Sequence, residues 1–285
     1  MSPEPLSTFH YHACAHGFSA RFTRPFEYQI DAQAASALPI IGGHGQARVE
    51  NFQFREFLSF RKAYTHVSGA CEKKPDGTVS HNTLVISAIE GLNILDILTA
   101  DRIVARMYSK YELEKREREK EKKKEKKEKK EKKEKENEEG SFTIVGSRFE
   151  NLRIADCDVN IKLDLDTFEK IPTYASALNN FENKGDFFKI AHDPFRTGHS
   201  IEKPGPNGIF LCSCVKEMKL DCAGVTQVGH AFSVPGFGKI FLGELVIKHG
   251  HRTLTMIRLE IGSAVSAAGT VVQADSNGKP YPPGG

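Results

Sequence analysis

The chain has 285 residues, of which 39% are hydrophobic and 27% charged, with a formal net charge of +3, enough apolar material for a sizeable core. Residues 112–139 hold 14 of the 40 basic and 12 of the 37 acidic residues, so the remainder is nearly neutral and lacks the clustered positive charge of a nucleic-acid partner. No run of 18 apolar residues is present, which excludes a helical membrane span, and the opening MSPEPLSTFHYHACAHGF lacks the charged and apolar regions of a Sec signal peptide.

Phe9–Thr23 alternates well enough to be an opening strand, and Pro25 with Pro39-Ile40-Ile41-Gly42-Gly43 marks an irregular crossing. A second block runs from Ala47 to Cys71. Lys74-Pro75-Asp76-Gly77 then reads as a turn, because proline presets φ and glycine accepts a positive one. The longest strand signal follows, Leu84–Ile94 and Ile97–Tyr108, rich in β-branched residues and closed by a turn near Leu95 and Asp96. The i, i+4 spacing of Ile103 with Met107 also suits a helix; alternation in the related segments selects strand.

One phrase, apolar-Glu-Gly/Asn-apolar-x-apolar, occurs three times: Val49–Phe54, Ile89–Ile94 and Phe149–Ile154. Because the repeat crosses every plausible boundary, residues 1–111 and 140–274 are expected to form a single β-rich domain. Residues 112–139 are expected to be a charged helical insertion, on the order of 40 Å long at 1.5 Å per residue, supported by i, i+4 Glu–Lys pairs and lacking an apolar stripe. Asp166 is a fair N-cap for one short helix carrying Tyr174, Leu178 and Phe181. Five strand-like stretches fill Ile209–Ala274, and residues 275–285 read as a flexible C-terminal tail. The predicted fold class is therefore all-β: a two-layer sandwich of long antiparallel hairpins with one short helix and a projecting Lys/Glu-rich helix.

The phrases AHGFSARF, SALPIIGGHGQARVENF, AIEGLNILDILTADRIVARMY followed by GSRFENLRI, and GFGKIFLGELVI resemble, in pattern and order, the bacterial surface proteins called choice-of-anchor P. The likeness covers most of residues 13–270. It implies an all-β extracellular module, structural or adhesive, with no established enzyme activity. The chain departs from that family's pattern in having no signal peptide or C-terminal anchoring segment and in carrying the Lys/Glu insertion, so a cytoplasmic relative stays open beside a surface or extracellular one.

Chemistry-bearing clusters are few. His10, His12, Cys14 and His16 follow a period of two, so a continuous strand would point all four to one face. A pair of them with help from a neighbouring strand suits Zn²⁺ or Cu²⁺; the competing reading is a half-exposed His-rich strand. His249-x-His251 has the same spacing in a turn. Cys212-Ser213-Cys214 and Cys222 are compatible with a thiolate site or a Cys214–Cys222 bridge. With no export signal, all six cysteines are expected to be reduced, mostly as small buried hydrophobes. Asp156–Asn160 starts like a calcium loop but has Ile161 where glycine is needed. No phosphate-binding, dinucleotide, nucleophile-elbow or zinc-protease motif is present.

Three functions are weighed on these grounds. The first is a non-enzymatic structural subunit forming a homo-oligomer through sheet edges. The second is an adhesive module binding a glycan or protein ligand, and the third is a metalloprotein built on the His/Cys strand.

Overall fold

A computed structural model describes residues 8–75, 77–113, 139–190, 208–262 and 265–281. Two antiparallel sheets pack face to face, as the alternation predicts. The first is nearly contiguous in sequence: Gly43–Phe54, Leu58–Lys73, Val79–Ile94 and Leu98–Leu113 lie side by side in chain order, and short strands between Ser141 and Asp158 continue from the last of them. The second sheet is built from both ends of the chain. Gly238–Lys248, His251–Gly262 and Ser266–Ser276 run in order, and the N-terminal strand Ala13–Arg24 pairs against Ser266–Ser276.

The core lies between the sheets, where Val67, Val85, Ile89, Ile103 and Met107 of the first meet Leu245, Leu254, Ile257 and Val271 of the second, all fully buried. Small residues let the layers approach closely in one place. A Cβ on Gly17 would lie 2.7 Å from the Ala63 methyl of the opposite sheet, and beside it Ser87 Oγ donates 2.7 Å across the core to the His16 carbonyl. Thr65 Oγ1 does the same to Ala34 at 2.8 Å. These hydroxyls satisfy main-chain carbonyls that the crossing would otherwise leave buried and unpaired.

The repeated phrase has a backbone cause. Asn51, Gly91 and Asn151, each following the glutamate, have φ of 52°, 64° and 50°, the left-handed region that glycine and asparagine tolerate best. Four residues later each copy turns: Arg55, the pair Leu95 and Asp96, and the pair Ala155 and Asp156 again have positive φ. In register, Asn51, Arg61, Gly91, Asp101 and Asn151 stand in one row across the first sheet. There every strand spends an extra residue, so core-facing positions step by three: Phe60 to Ala63, Ile89 to Leu92, Ala100 to Ile103. The second sheet is creased in the same way, with Leu242 to Leu245 and Val271 to Ala274 stepping by three across Gly243 (φ 63°) and Val272 (φ 56°).

Several expectations need correction. Three short helices occur, Leu165–Lys170, Tyr174–Glu182 and Asp186–Ile190. Asp164 caps the first, accepting from the Thr167 amide, and Thr173 with Ser176 forms a capping box on the second. Asp166, the expected cap, lies in the first turn, two residues past the actual one. Glu112 and Leu113 belong to a strand and Glu139 to the folded body; residues 114–138, the rest of the expected charged helix, lie outside the described residues. The C-terminal stretch is not a loose tail as far as Tyr281. Its Lys279–Tyr281 pairs with Thr8–His10, Asn277 N donates to His12 O at 2.7 Å, and Gly278 packs so tightly on Phe9 that a Cβ there would lie 2.7 Å from the ring.

The crease makes a stability prediction. Gly91→Val places a β-branched residue at positive φ with the Arg61 Cβ 3.0 Å away and should cost about 2–3 kcal/mol in urea unfolding. Asn51→Gly, which keeps the conformation accessible, should change stability by less than about 1 kcal/mol.

Candidate functional site

The crease organises the exposed face of the first sheet. Glu50 pairs in register with Lys62, Lys62 with Glu90, Glu90 with Arg102 and Arg102 with Glu150, so the three glutamates of the repeat form one row separated by two cations. Such alternation removes the like-charge repulsion that three adjacent carboxylates would suffer. Tyr64 sits beside the row, its hydroxyl accepting from Arg102 and its ring lying 4.9 Å from the Lys62 ammonium. Burial disfavours the charged Arg102 side chain, but the Tyr64 hydrogen bond is the larger effect and raises its pKa.

At one end of the crease lies an open groove of about 880 Å³. Four of its polar side chains form two pairs. Asn151 Nδ2 donates to Asp101 Oδ2 at 2.6 Å, and Arg153 lies 3.1 Å from Asp158 while donating to the Asp156 carbonyl at 2.6 Å. Leu92, Ala100, Leu152 and Val159 supply a buried apolar floor. The wall strand Cys157–Asp158 pairs, among the described residues, only with Arg153–Ile154, and a disulfide from Cys157 to Cys222 ties it to a loop 65 residues further on. This bridge corrects the expectation of six reduced thiols, and its partner was not the one the sequence suggested. Cys212 and Cys214 are free and buried, as expected; burial pushes the Cys214 thiol up to about 12 and Cys212 higher still.

A buried ion pair lies beside Lys110 and Tyr111, at the far end of the strand Leu98–Leu113 from the groove residues Thr99–Asp101. The side chains of Glu139 and Arg252 are 1% and 4% exposed and 2.9 Å apart. Glu139 also accepts from the Gly250 amide at 3.1 Å and the Tyr174 amide at 2.6 Å, so one carboxylate ties the first sheet to a hairpin turn of the second and to the middle helix. Arg252 gives its other donors to the Lys248 and His251 carbonyls and stacks over Phe142 at 5.6 Å. Burial lowers the Arg252 pKa against the pull of Glu139. Sequence reasoning missed this centre because Glu139 is the last residue of a long mixed run of Lys and Glu.

The proposed metal strand is not brought together. His10 ends the strand Thr8–His10, Tyr11 and His12 lie between strands, and Cys14 and His16 belong to the next strand. His16 Nε2 lies 3.0 Å from Thr270 Oγ1 and 3.3 Å from Ser19 Oγ, and burial lowers its pKa. Cys14 stands opposite Asp275, and burial first, then that carboxylate, raise its pKa. His251 is engaged with Thr253 and Asp275 at 3.1 and 3.4 Å. Among the described residues, no three His, Cys, Asp or Glu side chains are grouped to hold one metal ion. Asp156 occupies the tight turn after the third repeat, so the calcium-loop start is hairpin chemistry.

Elsewhere on the second sheet, Glu244 lies between His230 at 3.4 Å and Arg258 at 2.7 Å, and Arg258 covers the Phe241 ring at 3.6 Å. Burial pushes the Glu244 carboxyl up, but hydrogen bonds from His230 and Arg258 outweigh it and hold the pKa at about 2.

Fold and surface together define a creased, disulfide-bearing β-sandwich whose exposed features are a charge row, a groove and sheet edges. A family model described as a domain of unknown function, DUF8256, matches residues 9–122, 128–196 and 188–248; the chain belongs to that family. Neither a curated protein nor a solved structure matches the chain.

Removing one half of the buried pair exposes its worth. Glu139→Ala leaves a buried guanidinium uncompensated and should cost about 3–5 kcal/mol in denaturant unfolding, and adding Arg252→Met should restore most of it. The Glu244 pKa lies below its unfolded value near 4.3, so its contribution is present above that pH and lost as pH falls toward 2. Thermal midpoints followed from pH 6 to 2 should therefore fall less steeply in Glu244→Gln, by an amount on the order of 2 kcal/mol at the acid end.

Proposed function

We propose that the protein is a non-enzymatic structural subunit that assembles with copies of itself in a surface or extracellular setting. The observation that carries this reading is the edge of the first sheet. Gly43–Phe54 is twelve residues long, bonded on one side to Leu58–Lys73 and, among the described residues, to no strand on the other. Its outward amides and carbonyls are the groups another strand needs.

Side chains along the edge favour the same event. Val49, Phe52 and Phe54 pack against the core yet are only half covered, so an added strand would bury apolar surface while pairing backbone. Arg48 and Glu50 alternate in charge, and an antiparallel copy centred on Val49 sets each opposite the other's complement. The Cys157–Cys222 bridge is of the kind that persists in oxidising compartments, which supports the extracellular setting, as does the likeness to choice-of-anchor P surface proteins. No described helix is long and apolar enough to cross a membrane.

Light scattering over a concentration series should show ordered assemblies. Consecutive strand amides point to opposite sides, so one of Ala47→Pro and Arg48→Pro removes an outward donor, and that variant should be monomeric with its thermal midpoint nearly unchanged. A wild-type protein that stays monomeric at millimolar concentration would sink the reading.

A further inference from the structure

We propose that the groove at the end of the crease binds a neutral oligosaccharide. The site is separate from the self-association edge, since the two lie at opposite ends of the first sheet's strand order.

The volume of about 880 Å³ falls in the range of roughly 300–1,000 Å³ that small-ligand sites occupy. Its polar groups are arranged as donor–acceptor pairs: an amide beside a carboxylate at Asn151 and Asp101, and a guanidinium beside a carboxylate at Arg153 and Asp158. Each hydroxyl of a sugar both donates and accepts, so two neighbouring hydroxyls match such a pair with no group left unsatisfied. Both pairs are open to solvent, Asp158 by 85%, so a sugar can reach their donors and acceptors directly.

Charge narrows the ligand class. Two carboxylates and one guanidinium line the groove, which repels a phosphate, sulfate or uronate and offers a polycation only one uncompensated charge. The apolar part fits a sugar as well. Phe149 reaches the groove beside the floor of Leu92 and Leu152, and the C–H face of a pyranose ring, slightly positive, rests favourably on such an aromatic surface.

The wall is stapled. Asp158 sits on a two-residue strand with two register pairs, and the adjacent Cys157–Cys222 bridge is the covalent link holding it. Binding should therefore depend on the oxidised state, because a wall free to move loses the preorganisation that supports affinity.

Isothermal titration of the full chain with cellohexaose, chitohexaose, mannohexaose, xylohexaose and maltohexaose tests the assignment, with hexagalacturonate as the charged comparison. At least one neutral hexamer should bind. Its affinity should fall tenfold or more in Asp158→Asn and in Asn151→Gly, a substitution that keeps the left-handed backbone accessible just as Gly91 does in the equivalent place, and in wild type reduced with a thiol. Circular dichroism melting controls for folding, and Asn160→Ala, also on the groove, gives a second weakened variant should Asp158→Asn melt early. No heat with any neutral hexamer at millimolar concentration, binding of hexagalacturonate alone, or neutral binding unmoved by these substitutions would overturn the proposal.

Discussion

Five segments of the first sheet reach the same line and cross it with one extra residue each, and three of those residues, Asn51, Gly91 and Asn151, have a left-handed backbone. That constraint selects Gly or Asn at positions 51, 91 and 151 and fixes the three-residue step that keeps Ile89 and Leu92, or Ile103 and Ala100, facing the core on both sides of the line. It also lines up Glu50, Glu90 and Glu150 so that Lys62 and Arg102 fall between them. Because neighbouring strands share the extra residue, their register is unchanged on either side of the line, and the second sheet repeats the device at Gly243 and Val272. Two layers creased along matching lines can stay in contact over a longer length than two layers of which only one is bent.

Polar chemistry inside the body is structural. Glu139 spends both oxygens on groups from three separate elements, and Arg252 answers it while satisfying two carbonyls of the hairpin turn. A pair buried to this depth gains little net stability over apolar packing but is costly to half-remove. Its effect is to fix which turn and which helix sit over the end of the sheets. The hydroxyls of Ser87 and Thr65 act on a smaller scale, holding the layers at the separation that Gly17 and Ala63 permit.

Much of this architecture was legible in the sequence. Alternating apolar residues gave the long hairpins and their turn at Leu95 and Asp96, and the threefold phrase was visible before its backbone cause was. Other features left no local trace. The disulfide joins residues 65 positions apart, and spacing alone pointed Cys222 toward the nearer Cys214. Glu139 looks like its neighbours in the charge run; only its place after the strand Leu98–Leu113 and before Ser141–Thr143 brings it to Arg252. The period-two pattern of His10, His12, Cys14 and His16 was real, but it spans a break at Tyr11, whose buried ring and hydrogen bond to His81 at 2.8 Å interrupt the strand. The groove depends on residues from several separate strands and a stapled edge, a conjunction that periodicity does not encode.

The two layers differ in how they are threaded. One is completed by a continuous stretch of chain, whereas the other waits for Ser266–Ser276 to arrive before Ala13–Arg24 has its main neighbour. Closing so long a span costs conformational freedom before any pairing repays it. During synthesis Ala13–Arg24 is made long before Ser266–Ser276, so until that later strand arrives it has, among the described residues, only the short neighbours Tyr28–Gln33 and Ser36–Ala37 to pair with.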